Sequence, residues 1–147
     1  MAKRVSQMNK IFLDTSYAIA LSSPADEHHR RAEELAEQLE AAGTQLVTTR
    51  AILLEIGNAL SKLRYRQAAI RLLNALEHDQ NIEIVPVTEE LYWRGFELYR
   101  NRHDKEWGLI DCISFVVMGE RNFMDALTTD DHFRQAGFRV LLQEGQS

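Results

Sequence analysis

Apolar residues follow two rhythms along this chain. Short, nearly continuous apolar runs alternate with longer stretches in which apolar positions recur every three or four residues. The short runs predict strands at Lys10–Leu13, Gln45–Thr48, Ile82–Val85, Ala126–Thr128 and Arg139–Leu142. The longer rhythm predicts helices. Ser16–Leu21 is a short one, ended near Pro24. His28–Ala42 carries Ala32, Leu35, Ala36 and Leu39 on one face and stops at Gly43. Arg50–Leu63 places Ile52, Leu53, Ile56, Leu60 and Leu63 along a single stripe. Arg66–His78 is the next helix. Thr88–Arg102 has Glu89 and Glu90 in its first turn and Arg100 and Arg102 in its last, as the helix dipole favours. Leu109–Glu120 has almost no polar side, so it packs on a sheet and on other helices at once. Asp131–Ala136 is short and closed by Gly137.

Strands separated by helices imply right-handed crossovers. The expected fold is a three-layer α/β/α sandwich around a mostly parallel sheet of four to five strands. The length of 147 residues allows one full core without a disulfide or a structural metal, and leaves little room for two. One domain over residues 1–147 is therefore expected, with no internal repeat and no linker. Cys112 is the single cysteine, so an intrachain disulfide and a multi-cysteine zinc site are both excluded. Met1–Lys10 is polar and basic, unlike a signal peptide, and no apolar stretch approaches a bilayer span. A soluble cytoplasmic protein with no membrane partner is the expectation.

In open parallel sheets, sites form beyond the carboxyl ends of the strands. Asp14 directly follows the first strand, and Asp130 closes the fourth. Glu55 lies in the second turn of the helix after the second strand, and Asp111 in the first turn of the apolar helix. Parallel strands would gather all four carboxylates at one end. Carboxylates brought together repel, and hard divalent ions such as Mg2+ or Mn2+ relieve the conflict through oxygen ligation. Such ions activate water and stabilise a leaving oxygen at a phosphodiester. Each acid also has an ordinary explanation. Asp14 and Asp130 precede helices and suit N-caps, Asp111 suits a first-turn acid, and Glu55 suits a surface pair with Arg50 or Lys62. On spacing alone the two accounts weigh about equally.

Four segments, in order, resemble the PIN domain family, and within it the single-domain VapC toxin ribonucleases of VapBC pairs. They are Asp14-Thr15-Ser16-Tyr17, Leu53 through Leu60 around Glu55, Asp111-Cys112-Ile113-Ser114-Phe115, and Thr128-Thr129-Asp130-Asp131-His132-Phe133 followed by Gly137-Phe138. The resemblance covers a core of about residues 9–143. It implies a metal-dependent endoribonuclease, the toxin of a type II toxin–antitoxin pair, acting on RNA with Mg2+ or Mn2+. It also implies an antitoxin partner and a homodimer. Carried over residue by residue, Asp14, Glu55, Asp111 and Asp130 match the catalytic, metal-binding acids, and Ser16 and Thr128 match nearby hydroxyls. Related sequences often carry a Ser and a Thr just before the third acid. Here Gly108 and Ile110 stand there, which puts metal affinity or rate in question.

Other groups have lesser readings. Lys62, Arg64 and Arg66, with Arg71, form a basic cluster that would hold RNA phosphates or simply face solvent. His28 and His29 are expected to be solvated, His103 to cap a helix end, and His132 to pack at its helix end or hydrogen-bond near the acids. Asp131 reads as a first-turn helix acid, and Cys112, Trp107 and Tyr17 as core. The competing functions are a non-catalytic RNA- or protein-binding module of the same fold, a housekeeping RNA-processing nuclease, and a phosphatase with Asp14 as nucleophile. The last is disfavoured because Ser16 stands where such enzymes place a second acid. The charge balance is 17 basic against 22 acidic residues; without the four candidate acids it becomes 17 against 18. The negative excess therefore belongs almost wholly to one proposed site.

Overall fold

A computed structural model describes residues 10–144. The expectations for Met1–Asn9 and for the last three residues lie outside them. The described chain runs β1 (Lys10–Leu13), α1 (Thr15–Ser22), α2 (His29–Ala42), β2 (Gln45–Thr49), α3 (Arg50–Ala59), α4 (Leu63–His78) and β3 (Ile82–Val85). It continues through α5 (Glu89–Asn101), α6 (Leu109–Glu120), β4 (Asp125–Leu127), α7 (Asp131–Gln135), β5 (Arg139–Val140) and α8 (Leu141–Glu144).

The five strands form one parallel sheet in the order β3-β2-β1-β4-β5. The order reverses about β1: the chain moves outward through β2 and β3, then returns to β4 on the other side. Right-handed crossovers consequently place α1–α4 on one face and α5–α7 on the other. That gives the expected three layers. β1 is the middle strand, and its Phe12 and Leu13 are fully buried, as a strand covered on both faces requires. Phe12, Phe115 and Phe133 pack ring to ring beneath the acid-bearing end of the sheet, with centroids 6.3 and 4.9 Å apart. Trp107 joins them at 5.0 Å from Phe115, and Tyr17 and Cys112 are core residues, as expected.

Local signals set the boundaries. Gly43 adopts a left-handed φ of 68°, which lets the Gly43 and Thr44 amides close α2 on Glu40 and Leu39 carbonyls. The hydroxyls of Thr49 and Thr88 cap α3 and α5 by accepting from the Ile52 and Leu91 amides. α5 and α6 touch closely at Gly95, where an added Cβ would sit 2.6 Å from the Ile113 side chain.

Four expectations need correction. The helix over 50–63 stops at Ala59, and Leu63 opens the next helix with 87% of its surface exposed. Asn58 and Ser61 are weak helix formers, and Arg66 braces the reversal by donating to the Ser61 carbonyl at 2.6 Å. The last strand ends at Val140, because Leu141–Glu144 turns helical and Gln143 folds back to the Thr129 carbonyl at 2.5 Å. Arg102, not His103, closes α5. His28 and His29 are half-buried rather than solvated: His29 Nδ1 meets the Ala20 carbonyl at 2.8 Å and so ties α2 to α1. No helix among the described residues is long and apolar enough to cross a membrane.

Candidate metal centre

The site begins with the end of β1. The Asp14 amide still pairs with the β4 carbonyl of Leu127 at 3.1 Å, so the strand pairing itself fixes where Asp14 emerges. Asp14 occupies the N-cap position of α1, yet its side chain caps nothing. The ordinary explanation for this acid therefore fails. Its carboxylate turns across the sheet instead, accepting from Thr128 Oγ1 at 2.7 Å and from Ser16 Oγ at 3.4 Å. Only 5% of the residue is exposed. Burial pushes its pKa up to about 7, against the opposing pull of the Thr128 hydroxyl and the Thr15 amide, and the Glu55 and Asp111 charges push the same way as burial.

Thr128 and Ser16 weave the strand ends together. Thr128 Oγ1 gives its proton to Asp14, accepts from the Asp130 amide at 3.0 Å, and lies 3.1 Å from Ser16 Oγ. Ser16 Oγ in turn accepts from the Thr129 amide at 2.9 Å. Thr128 lies just past β4, which ends at Leu127, and is fully buried. Both hydroxyl positions expected beside the acids are thus found there, and both act on backbone as well as on Asp14.

Asp111 sits at the third position of α6 and accepts from the Gly108 amide at 3.3 Å, as a first-turn acid does. The same Oδ2 atom lies 3.1 Å from His132 Nδ1, so a ring protonated at Nδ1 donates to it. Burial raises the Asp111 pKa, the His132 bond lowers it, and the Asp130 charge raises it again. Asp130 is a true helix cap, accepting from the His132 amide at 2.9 Å through Oδ1. Its role as a cap leaves Oδ2 free of that bond. Asp111, Asp130 and His132 each offer one ligand atom within 4.8 Å of the others.

Glu55 projects from α3. It does not pair with Arg50, which binds Glu77 on α4 instead. Glu55 accepts a hydrogen bond from Thr15 Oγ1, so the residue after Asp14 holds the fourth acid. Asp14 feels both Glu55 and Asp111, and Asp111 feels Asp130, so the four expected acids form one electrostatic chain. The tight oxygen-and-imidazole group is Asp111, Asp130 and His132, with Asp14 and Glu55 flanking it. A set dominated by carboxylate oxygens suits a hard divalent cation. Asp131 points away and pairs with Arg134 at 3.0 Å. Lys62, Arg64 and Arg66 stand exposed where α4 begins, with Arg64 over the Tyr65 ring at 4.9 Å.

Two contributions escaped sequence reasoning. Thr15 was visible only as part of a cap motif, and its contact with Glu55 spans 40 residues. His132 was expected to hydrogen-bond, but its aim at Asp111 depends on how α7 packs beside α6. Its position two residues after Asp130 was the available signal.

A model of the PIN domain matches residues 11–139. The 23S rRNA-specific endonuclease VapC20 of Mycobacterium tuberculosis, from two strains, is 27% identical over 128 residues, covering 87% of this chain and 95% of that protein. The crystal structure of M. tuberculosis VapC20, a Sarcin-Ricin loop cleaving toxin, superposes with a TM-score of 0.76 at 26% identity, over 87% of this chain and 95% of that one. With the match spanning the sheet and all four acids, the chain belongs to the PIN domain family.

Proposed function

We propose that this protein is a metal-dependent endoribonuclease that cuts RNA phosphodiester bonds, and that it is the toxin of a type II toxin–antitoxin pair. The observation that carries the reading is Asp14: a carboxylate 5% exposed, at a helix start it does not cap, held up to about 7 by burial beside two further acids. Such an arrangement costs stability unless a cation or a proton compensates it. Membership of a nuclease family and the likeness to an RNA endonuclease supply the substrate class.

Asp14, Asp111 and Asp130 would hold Mg2+ or Mn2+, with Glu55 completing the set and His132 steadying Asp111. When bound, such an ion favours water deprotonation and offsets charge on the phosphate oxygens. The protein's own groups have separate tasks. Thr128 and Ser16 keep Asp14 aimed at its neighbours. Thr15 fixes Glu55, whose free oxygen can orient the attacking water. Lys62, Arg64 and Arg66 can hold flanking phosphates. No protein nucleophile is needed, and Cys112 is fully buried. The expected setting is the cytoplasm, where RNA and a cognate antitoxin would both be met.

The test is cleavage of total RNA by purified protein with Mn2+ or Mg2+, with and without EDTA, beside Asp14→Asn. The 23S rRNA is the first defined substrate to try. Equal cutting by the Asn variant would refute the assignment, since a neutral amide cannot replace the charged ligand. A non-catalytic module of the same fold has one supporting observation: Gly108 leaves only a backbone amide beside Asp111. His132 supplies a polar partner at the same oxygen. RNA binding without turnover, and no stabilisation by Mn2+, would favour the module.

A further inference from the structure

The tight ligand group draws on two separate elements. Asp111 stands on α6, while Asp130 and His132 stand at the start of α7. Two donors converge on one oxygen between them. The Gly108 amide meets Asp111 Oδ2 at 3.3 Å, and His132 Nδ1 meets the same atom at 3.1 Å. Asp111 Oδ1 stays outside both bonds. The contact that keeps these two donors together lies behind the site.

Trp107 directly precedes Gly108, and Gln135 is the last residue of α7. The Trp107 indole donates from Nε1 to Gln135 Oε1 at 3.1 Å. That bond closes a ring. It runs from Trp107 through Gly108 to Asp111 Oδ2, through His132 and along α7 to Gln135, and back to Trp107. The indole is itself clamped. It is 6% exposed, meets Phe115 of α6 edge-on at 5.0 Å, and lies under the Arg102 guanidinium at 5.0 Å. Asp104 holds that guanidinium in turn, at 3.0 and 3.1 Å. An indole N–H only donates, and leaving a buried one without an acceptor is costly. The contact of Phe115 with Phe133 resists separation of α6 from α7 but tolerates sliding. The Trp107–Gln135 bond is directional, so it fixes the register that ring packing leaves open.

We propose that Gln135 is a positioning residue for the metal centre, holding Asp111 against Asp130 and His132 through Trp107. The inference rests on the metal-site reading above and deepens it. Carboxylates that repel one another bind a cation tightly only when the scaffold already holds them together. A slack scaffold has to be closed at every binding event, and the ordering it requires is subtracted from the affinity.

The probe is Mn2+ alone, titrated into the full chain and followed by the electron paramagnetic resonance of the free ion. Gln135→Leu removes the acceptor at an exposed position and should weaken Mn2+ binding about five-fold. Trp107→Phe removes the donor and should weaken binding by a similar factor. The double variant should lose no more than the larger single loss, because the two side chains act as one bond. Thermal unfolding in EDTA reports the packing that Trp107→Phe also forfeits. A bond serving stability alone would lower the unfolding midpoint and leave Mn2+ affinity unchanged. Unchanged Mn2+ affinity in Gln135→Leu, or additive losses in the double variant, would overturn the inference and leave the metal site standing. A parent protein that binds no Mn2+ would overturn the metal-site reading and this inference with it.

Discussion

Replacing Asp14 by Asn should make the metal-free protein more stable at neutral pH while removing its activity. An aspartate in an unfolded chain ionises near 3.9. In the folded protein Asp14 ionises at about 7, chiefly through burial. Between those two values the unfolded chain has released the proton and the folded chain retains it. Stability therefore falls as pH rises through that window and levels off above about 7. Three decades of acidity at about 1.4 kcal/mol each give about 4 kcal/mol, and local relaxation brings the observable figure to about 2–4 kcal/mol. Asn matches the shape and still accepts the Thr128 proton, but never charges. Urea unfolding at pH 4.5 and pH 8, in EDTA, measures the effect in both proteins. The parent should lose about 2–4 kcal/mol more than Asp14→Asn between the two conditions. Equal losses would mean that Asp14 is already ionised and solvated, and the electrostatic basis of the site would fall. Mn2+ at pH 8 should stabilise the parent and leave the variant nearly unchanged.

Three further outcomes follow from the geometry. Gly95→Ala should destabilise by about 1–3 kcal/mol in thermal unfolding, since its Cβ would press 2.6 Å from Ile113 and the gain in helix propensity is smaller. Thr15→Val keeps the fold but frees Glu55, and single-turnover RNA cleavage should slow by about ten-fold with little change in RNA affinity. Changing Lys62, Arg64 and Arg66 to Ala should flatten the salt dependence of RNA binding, read by fluorescence anisotropy. The log–log slope should fall by about 0.7 for each phosphate that the variant no longer neutralises.

Much of this molecule is written locally. Alternating apolar runs and helical stripes suffice for the layers, because a buried parallel strand and an amphipathic helix each leave a periodic trace. Gly43 and Thr88 mark their boundaries by backbone chemistry that any reader of sequence can apply. Leu63 shows where that reasoning fails. It fits the stripe of the preceding helix, but the chain turns before reaching it, and no local rule weighs a turn braced by Arg66 against one more helical turn. The acids were legible as residues, and the strand order gathers them at one end of the sheet, but their individual contacts were not legible. Asp14 and Asp130 share the same cap signature, yet one caps and the other does not. The difference lies in Thr128, which offers Asp14 a proton from 114 residues away. Likewise His29 looks like a polar surface residue until α1 presents the Ala20 carbonyl to it.

The hydroxyl weave at the end of β1 and β4 also sets a clock. Asp14 and Ser16 are made early in synthesis, but Thr128, which gives Asp14 its shorter hydroxyl bond, and the β4 backbone are made late. Until β4 joins the sheet, Asp14 lacks both the Thr128 hydroxyl and the Leu127 carbonyl that its amide pairs with. Asp111 likewise waits for His132 and Asp130. A growing chain thus carries its acids unassembled, and on the proposed assignment of these acids cutting capacity would arrive with the last strands rather than gradually. For a nuclease made on a ribosome, among the RNA it could attack, that order separates being synthesised from being armed.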